Sequence, residues 1–274
     1  MKLVTFSEIE SFKNSLETYL LNNEALNSIL IGALLQANDA TILSLGTCYQ
    51  GSLLEIAWML THDKVLILTE GTNKSIQLLA DHFLKQYQDI YRIRGSTYSV
   101  DTFLRLTGLG VSKSMTQNVY QLDKMVLQNQ SSGKLMKAEL SDITYLQSWV
   151  EEYIAEAKLD YVDPVLLLKK LIGEERLYLW ESKGTILSIA ACTGPTFTGM
   201  RIILVFTPQN YRGKGYASSC VATLGNHLLE QGYRKCFIFA DQENHTANSI
   251  YKKIGFDLMG SYKGCTLVRD TEVS

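Results

Sequence analysis

The chain has 274 residues, 46% hydrophobic and 20% charged, with 26 Lys and Arg against 28 Asp and Glu for a net charge of −2. At roughly 150 residues per domain this is material for about two domains, with enough apolar content to build cores without staples. Near-neutrality gives no global attraction to nucleic acid or to an anionic membrane, and three prolines without a low-complexity run argue against a long disordered segment.

At the N-terminus, Met1–Phe6 leads directly into Ser7, Glu8 and Glu10, with no secretory apolar region. The longest apolar runs, such as Ser28–Leu35 and Ile202–Phe206, fall far short of a membrane span. The five cysteines (Cys48, Cys192, Cys220, Cys236, Cys265) are odd in number, widely spaced and set mostly among apolar or small residues, which reads as buried free thiols in a reducing compartment. The four histidines (His62, His82, His227, His245) lack zinc-ligand spacing. The expectation is a cytoplasmic protein with no metal and no membrane partner.

Ser7 followed by Glu10 has the form of a capping box, and Phe12, Leu16, Tyr19 and Leu20 recur at helical spacing behind it. A second helix is predicted over Asn23–Leu35, then strands over Thr41–Leu45, Ser52–Met59 and Lys64–Leu68, with His62-Asp63 as a turn. This half is α/β or α+β and carries no catalytic constellation. Gln128-Asn129-Gln130-Ser131-Ser132-Gly133 can neither bury a face nor sustain a helix, so it marks the boundary: residues 1–128 form one domain and residues 134–274 another.

After that boundary come a strand at Leu135–Ala138 and a helix capped by Ser141-Asp142. A further helix opens on Asp163-Pro164, where proline's missing N–H does no harm. Strands follow over Arg176–Glu181, Thr185–Cys192 and Met200–Phe206, the first two joined by a Lys183-Gly184 hairpin turn. A helix over Tyr216–Gln231, a strand over Cys236–Ala240 and a helix over Thr246–Ile254 complete a mixed, mostly antiparallel sheet flanked by helices.

Chemistry concentrates where the third of those strands meets the next helix, in Thr207-Pro208-Gln209-Asn210-Tyr211-Arg212-Gly213-Lys214-Gly215-Tyr216-Ala217. Gly213 and Gly215 let backbone N–H groups approach a ligand unshielded, and the helix dipole adds positive potential. Arg212 and Lys214 bring charge to the same mouth, and Ala217 is small enough for close approach, so the segment suits a pyrophosphate. A glycine turn needed for geometry alone has the same local pattern, and neither the P-loop nor the Rossmann spacing is present.

A second motif follows at the end of the next strand, Asn244-His-Thr-Ala247-Asn248-Ser-Ile-Tyr251-Lys-Lys-Ile-Gly255-Phe256. Arg-x-x-Gly-x-Ala at 212–217 followed by Asn-x-x-Ala-x-x-Ile-Tyr-x-x-x-Gly-Phe at 244–256 resembles the GNAT family of acetyl-CoA-dependent N-acetyltransferases, over about residues 134–265. The resemblance implies that the amides of Arg212, Gly213, Lys214, Gly215, Tyr216 and Ala217 hold the CoA pyrophosphate. It further implies that backbone groups at Leu204, Val205 and Phe206 grip the pantetheine and polarise the thioester carbonyl, and that Asn244 touches the CoA arm. Tyr251 would protonate the leaving thiolate, as a phenol can. Tyr251 also fits a core aromatic of the last helix, and Asn244 its N-terminal cap. No general base is singled out among Glu151, Glu152, Glu181, Asp241 and Glu243.

The whole chain also resembles bacterial acetyltransferases that pair a C-terminal catalytic GNAT domain with a degenerate GNAT-like N-terminal domain. The nearest counterpart of the glycine loop in the first half, Thr107-Gly108-Leu109-Gly110, is not followed by a long amphipathic helix. The expected function is therefore direct acetyl transfer from acetyl-CoA to the primary amine of a small molecule. Acetylation of a peptide N-terminus or lysine, or non-catalytic acyl-CoA sensing, are the alternatives. The first half is expected to shape the acceptor cleft or a homodimer contact.

Overall fold

The computed structural model describes residues 1–87, 90–126, 131–159 and 162–268, so Gln128–Gln130 of the expected boundary lie outside the described residues. The first ten elements are β1 (Lys2–Phe6), α1 (Ile9–Asn22), α2 (Glu24–Leu35), β2 (Ile42–Gln50), β3 (Leu53–Thr61), β4 (Val65–Leu68), α3 (Asn73–Gln86), β5 (Arg92–Ser96), α4 (Thr97–Thr107) and β6 (Val111–Leu122). The next ten are β7 (Lys134–Lys137), α5 (Ile143–Glu156), α6 (Pro164–Gly173), β8 (Leu177–Ser182), β9 (Thr185–Thr193), β10 (Gly199–Phe206), α7 (Tyr216–Glu230), β11 (Lys235–Asp241), α8 (His245–Ile254) and β12 (Asp257–Leu267). Apart from short 3-10 turns, the order β-α-α-β-β-β-α-β-α-β occurs twice.

Two compact units do not follow the chain simply. One comprises Met1–Val119, Ala240–Asn244 and the stretch from Leu258; the other comprises Tyr120–Phe239 and His245–Asp257. In the first unit the strands run β1-β2-β3-β4-β5-β12, antiparallel except for the parallel β4–β5 pair. β12 belongs to the second repeat by sequence, yet it pairs with β5 from Tyr262↔Ser96 to Thr266↔Arg92. Its Cys265 and Leu267 join a core built on Ile56, Trp58, Leu66, Ile76, Phe83 and Phe103. In the second unit β7-β8-β9-β10-β11 follow the same scheme, antiparallel except for β10–β11. Leu146, Trp149 and Val150 of α5, with Leu168 and Leu171 of α6, close one face of that sheet.

Local signals explain most element ends. Asp163 accepts a hydrogen bond from the Leu166 N–H at 2.8 Å and Pro164 occupies the first turn of α6, as its sequence demands. Lys183 and Gly184 both have positive φ (52° and 77°), the twist a two-residue hairpin needs between β8 and β9. The expected capping box of α1 is displaced: Glu8 is the N-cap, and it accepts from the Ser11 hydroxyl at 2.9 Å. Phe12, Leu16 and Leu20 are fully buried on one stripe of α1, each contributing roughly 1.5–3 kcal/mol of apolar burial. All five cysteines are buried and free.

Candidate functional site

β10 delivers the backbone to the site. It pairs with β11 only from Gly199↔Lys235 to Ile202↔Ile238, so among the described residues Ile203–Phe206 have left that ladder. On its other edge the register with β9 jumps from Ile203↔Ala191 to Phe206↔Ile189, a bulge that leaves Leu204 and Val205 without partners in that ladder. Leu204 sits at φ 50°, a conformation costing on the order of 1 kcal/mol for a residue with a Cβ. Its buried side chain, among Leu146, Trp149 and Ile189, holds it there. Main-chain groups of Leu204 and Val205 are thereby turned out of both ladders. Phe206 is fixed behind them: its carbonyl accepts from the Ser188 hydroxyl at 3.0 Å, and Ser188 accepts from Thr207 at 2.8 Å.

The glycine loop follows directly. Gly213 and Gly215 have φ of 77° and 81°, and Gly215 is the N-cap of α7. A Cβ at either position would meet no protein atom within 4 Å, so these glycines serve backbone conformation and leave open space above them. The N–H groups of Tyr216, Ala217 and Ser218 precede the first intrahelical bond of α7, from the Ser219 N–H to the Gly215 carbonyl at 3.0 Å, and the helix dipole points its positive end at the same spot. Arg212 is turned toward the loop's base. Its Nε donates to the Thr207 carbonyl at 2.8 Å, its Nη2 pairs with Glu156 Oε1 of α5 at 2.6 Å, and its guanidinium lies 5.5 Å from the Phe206 ring centre. Lys214 is exposed, with Nζ 3.5 Å from the Asn210 carbonyl.

Tyr251, on α8, is 6% exposed. Its phenol is held well above the usual value by burial, then by the nearby phenols of Tyr153 and Tyr120. It therefore keeps its proton at neutral pH.

Residues 143–256 match the family model described as "Acetyltransferase (GNAT) family". This stretch is a GNAT acetyltransferase domain. Solved structures of similar fold include an acetyltransferase of the GNAT family from Colwellia psychrerythraea, with 14% identity, a TM-score of 0.60 and 98% of this chain aligned to 100% of that one. A tandem GNAT protein from the clavulanic acid biosynthesis pathway shares 11% identity at a TM-score of 0.58, covering 97% of this chain and 98% of that one. A GCN5-related N-acetyltransferase from Sphaerobacter thermophilus shares 12% at 0.58, covering 97% and 96%. No curated protein sequence matches the chain significantly. The likeness in fold extends over both repeats, and acyl-CoA-dependent acetyl transfer is the chemistry of the family.

Within the GNAT domain the carboxylates considered as bases are occupied or exposed. Glu181 accepts from the Gly184 N–H in the hairpin and pairs with Lys134 at 3.4 Å. Glu151 accepts from Gln147 at 2.8 Å, while Glu152 and Glu243 are exposed. An Asp241 carboxylate oxygen accepts the Glu243 N–H at 3.0 Å. Asn244 is exposed, its N–H donating to the Asp241 carbonyl at 3.0 Å, and it belongs to the other compact unit than Tyr251 and residues 204–217. Ser188, Thr207, Glu156, Tyr120 and Asn248 are supporting residues that sequence reasoning missed, because each acts through a partner distant in the chain.

In the first repeat the topological counterpart of the glycine loop is the 69–72 crossover, not Thr107–Gly110. The crossover between its parallel strands β4 and β5 leaves β4 through residues 69–72 into α3, whereas Gly108 is only the C-cap of α4, at φ 68°. The 69–72 loop is filled by its own unit. The Tyr19 hydroxyl lies 2.9 Å from Thr69 Oγ1 and donates to the Glu70 carbonyl, the Gly71 N–H donates to Ser99, and Thr72 caps Ser75. A Cβ on Gly71 would meet Ile56 at 2.8 Å, so this glycine permits packing instead of ligand approach.

Proposed function

We propose that the protein is an acetyl-CoA-dependent N-acetyltransferase that transfers the acetyl group directly to the primary amine of a small molecule. The observation that carries this reading is the presence, within one compact unit, of a bulged β10, an open glycine loop on the start of α7 and a buried Tyr251. Catalysis is assigned to the second repeat, residues 134–274. Amides at 212–217 would take the pyrophosphate, and backbone groups at Leu204, Val205 and Phe206 would orient the pantetheine and polarise the thioester carbonyl; Asn244 is assigned a contact with the CoA arm.

In this reading the neutral amine attacks the carbonyl carbon, a C–N bond forms and the C–S bond breaks. The sulfur takes the proton of Tyr251, the amine's surplus proton passes to water, and the phenol is re-protonated from solvent.

The filled 69–72 loop supports a first repeat, 1–128, that holds no acyl-CoA. Thiol release from acetyl-CoA, measured over a panel of small amines and short peptides, tests the function. Release stimulated by a small amine is the expected result; stimulation by peptides alone would replace the acceptor, and no release above the buffer rate would overturn the activity.

A further inference from the structure

Tyr120 lies two residues before the end of β6, the last strand of the first repeat, yet it belongs to the compact unit that holds the GNAT loop and α8. It is fully buried. Its hydroxyl donates to Oδ1 of Asn248 at 2.8 Å, across 128 positions of sequence. Its ring stands edge-on to that of Tyr251, with centroids 6.0 Å apart and planes at 69°. Asn248 and Tyr251 are three residues apart on α8 and so share a face. One side chain thus grips α8 twice, on the Tyr251 ring and one turn before it. Phe256 lies against the Tyr251 ring as well, at 6.1 Å, so the phenol is bracketed by two aromatic neighbours.

Packing alone does not call for a tyrosine at 120. A fully buried hydroxyl is a desolvation cost unless it is paired, whereas phenylalanine would fill the same space without that cost. What the hydroxyl adds is a fixed angle and depth between the end of β6 and α8. We propose that Tyr120 is a positioning residue that orients Tyr251 as the proton donor, so that the final strand of the first repeat completes the catalytic unit of the second. This rests on the reading of Tyr251 as the leaving-group acid.

The test is a double-mutant cycle on the full chain. It is read as thiol release from acetyl-CoA with the fastest amine of the panel, or with water where no amine exceeds it; acetyl-CoA Kd is measured for each variant. Tyr251→Phe is expected to lower kcat about a hundredfold, in the range of general-acid effects. Tyr120→Phe is expected to lower kcat about tenfold through misorientation, with Kd within about twofold. The double variant is expected to be no slower than Tyr251→Phe alone, because a residue that works through Tyr251 has nothing left to orient. Asn248→Ala should reproduce Tyr120→Phe. Unchanged turnover in Tyr251→Phe overturns the acid reading and with it this proposal. A normal Tyr251 effect beside an unaffected Tyr120→Phe, a multiplicative double variant, or a loss of Tyr120→Phe activity that tracks a loss of acetyl-CoA affinity overturns the proposal and leaves the acid reading standing.

Discussion

Arg212 and Glu156 meet at 2.6 Å beneath the glycine loop, tying its first residue to the last turn of α5. The same guanidinium reaches the Thr207 carbonyl and lies over the Phe206 ring, so one side chain joins the end of β10, the loop and a helix. Charge at the start of a phosphate loop can act on the ligand or on the loop. Here these contacts direct it to the loop.

The two partners should therefore respond differently to mutation. Their side chains are 44% and 54% exposed, which limits the ion pair itself to less than about 1 kcal/mol. Glu156→Gln is expected to leave acetyl-CoA affinity within about twofold. Arg212→Ala removes the Thr207 bond and the Phe206 contact together, and affinity should fall about tenfold as the loop loosens. Calorimetric titration of both variants checks this, and equal losses would mean that the ion pair carries the brace.

At Gly215 the φ of 81° and the open space above it separate strain from obstruction. Gly215→Ala should cost about 1 kcal/mol of stability for the left-handed backbone and still bind acetyl-CoA. Gly215→Glu sets bulk and a negative charge where the pyrophosphate is assigned, and affinity should drop more than about a hundredfold. Comparable affinity in the two variants would remove the phosphate assignment.

The filled crossover of the first repeat sets the stoichiometry. Tyr19, Ser99 and Thr72 already satisfy groups of the 69–72 loop. Titration should find one acetyl-CoA per chain. A second equivalent, retained in Gly215→Glu, would show that the first repeat binds it too.

What the sequence made legible was local. The glycine positions at 213 and 215, the Asp163-Pro164 start of α6 and the Lys183-Gly184 turn are each dictated by backbone constraints on neighbouring residues. The helical spacing of Ile76, Leu79, Ala80 and Phe83 in α3 is a local signal of the same kind. Two features had no local signal. The pairing of β12 with β5 depends on which edge accepts a strand, and the bond from Tyr120 to Asn248 spans the two repeats of the sequence. Arg212 lies between these cases: its charge is visible in the sequence, while its direction is set by Glu156 and Thr207.

His82 gives the first unit a pH-sensitive stability. It packs against Trp58, Phe83 and Tyr87 with ring centroids at 5.7, 5.6 and 6.0 Å, and its buried Nε2 has no hydrogen-bond partner among the described residues. Burial holds its pKa below the ordinary 6.5, because the imidazolium would have to form among these rings. In the unfolded chain His82 takes up a proton as pH falls through 6.5, while in the folded chain it resists until lower pH. Stability is therefore full above pH 6.5 and declines as pH falls from there toward the folded pKa. Urea unfolding at pH 7.5, 6.5 and 5.5 should show a loss on acidification that is smaller in His82→Phe, which keeps the ring packing and removes the titration. Parallel losses in the two proteins would place the acid sensitivity elsewhere.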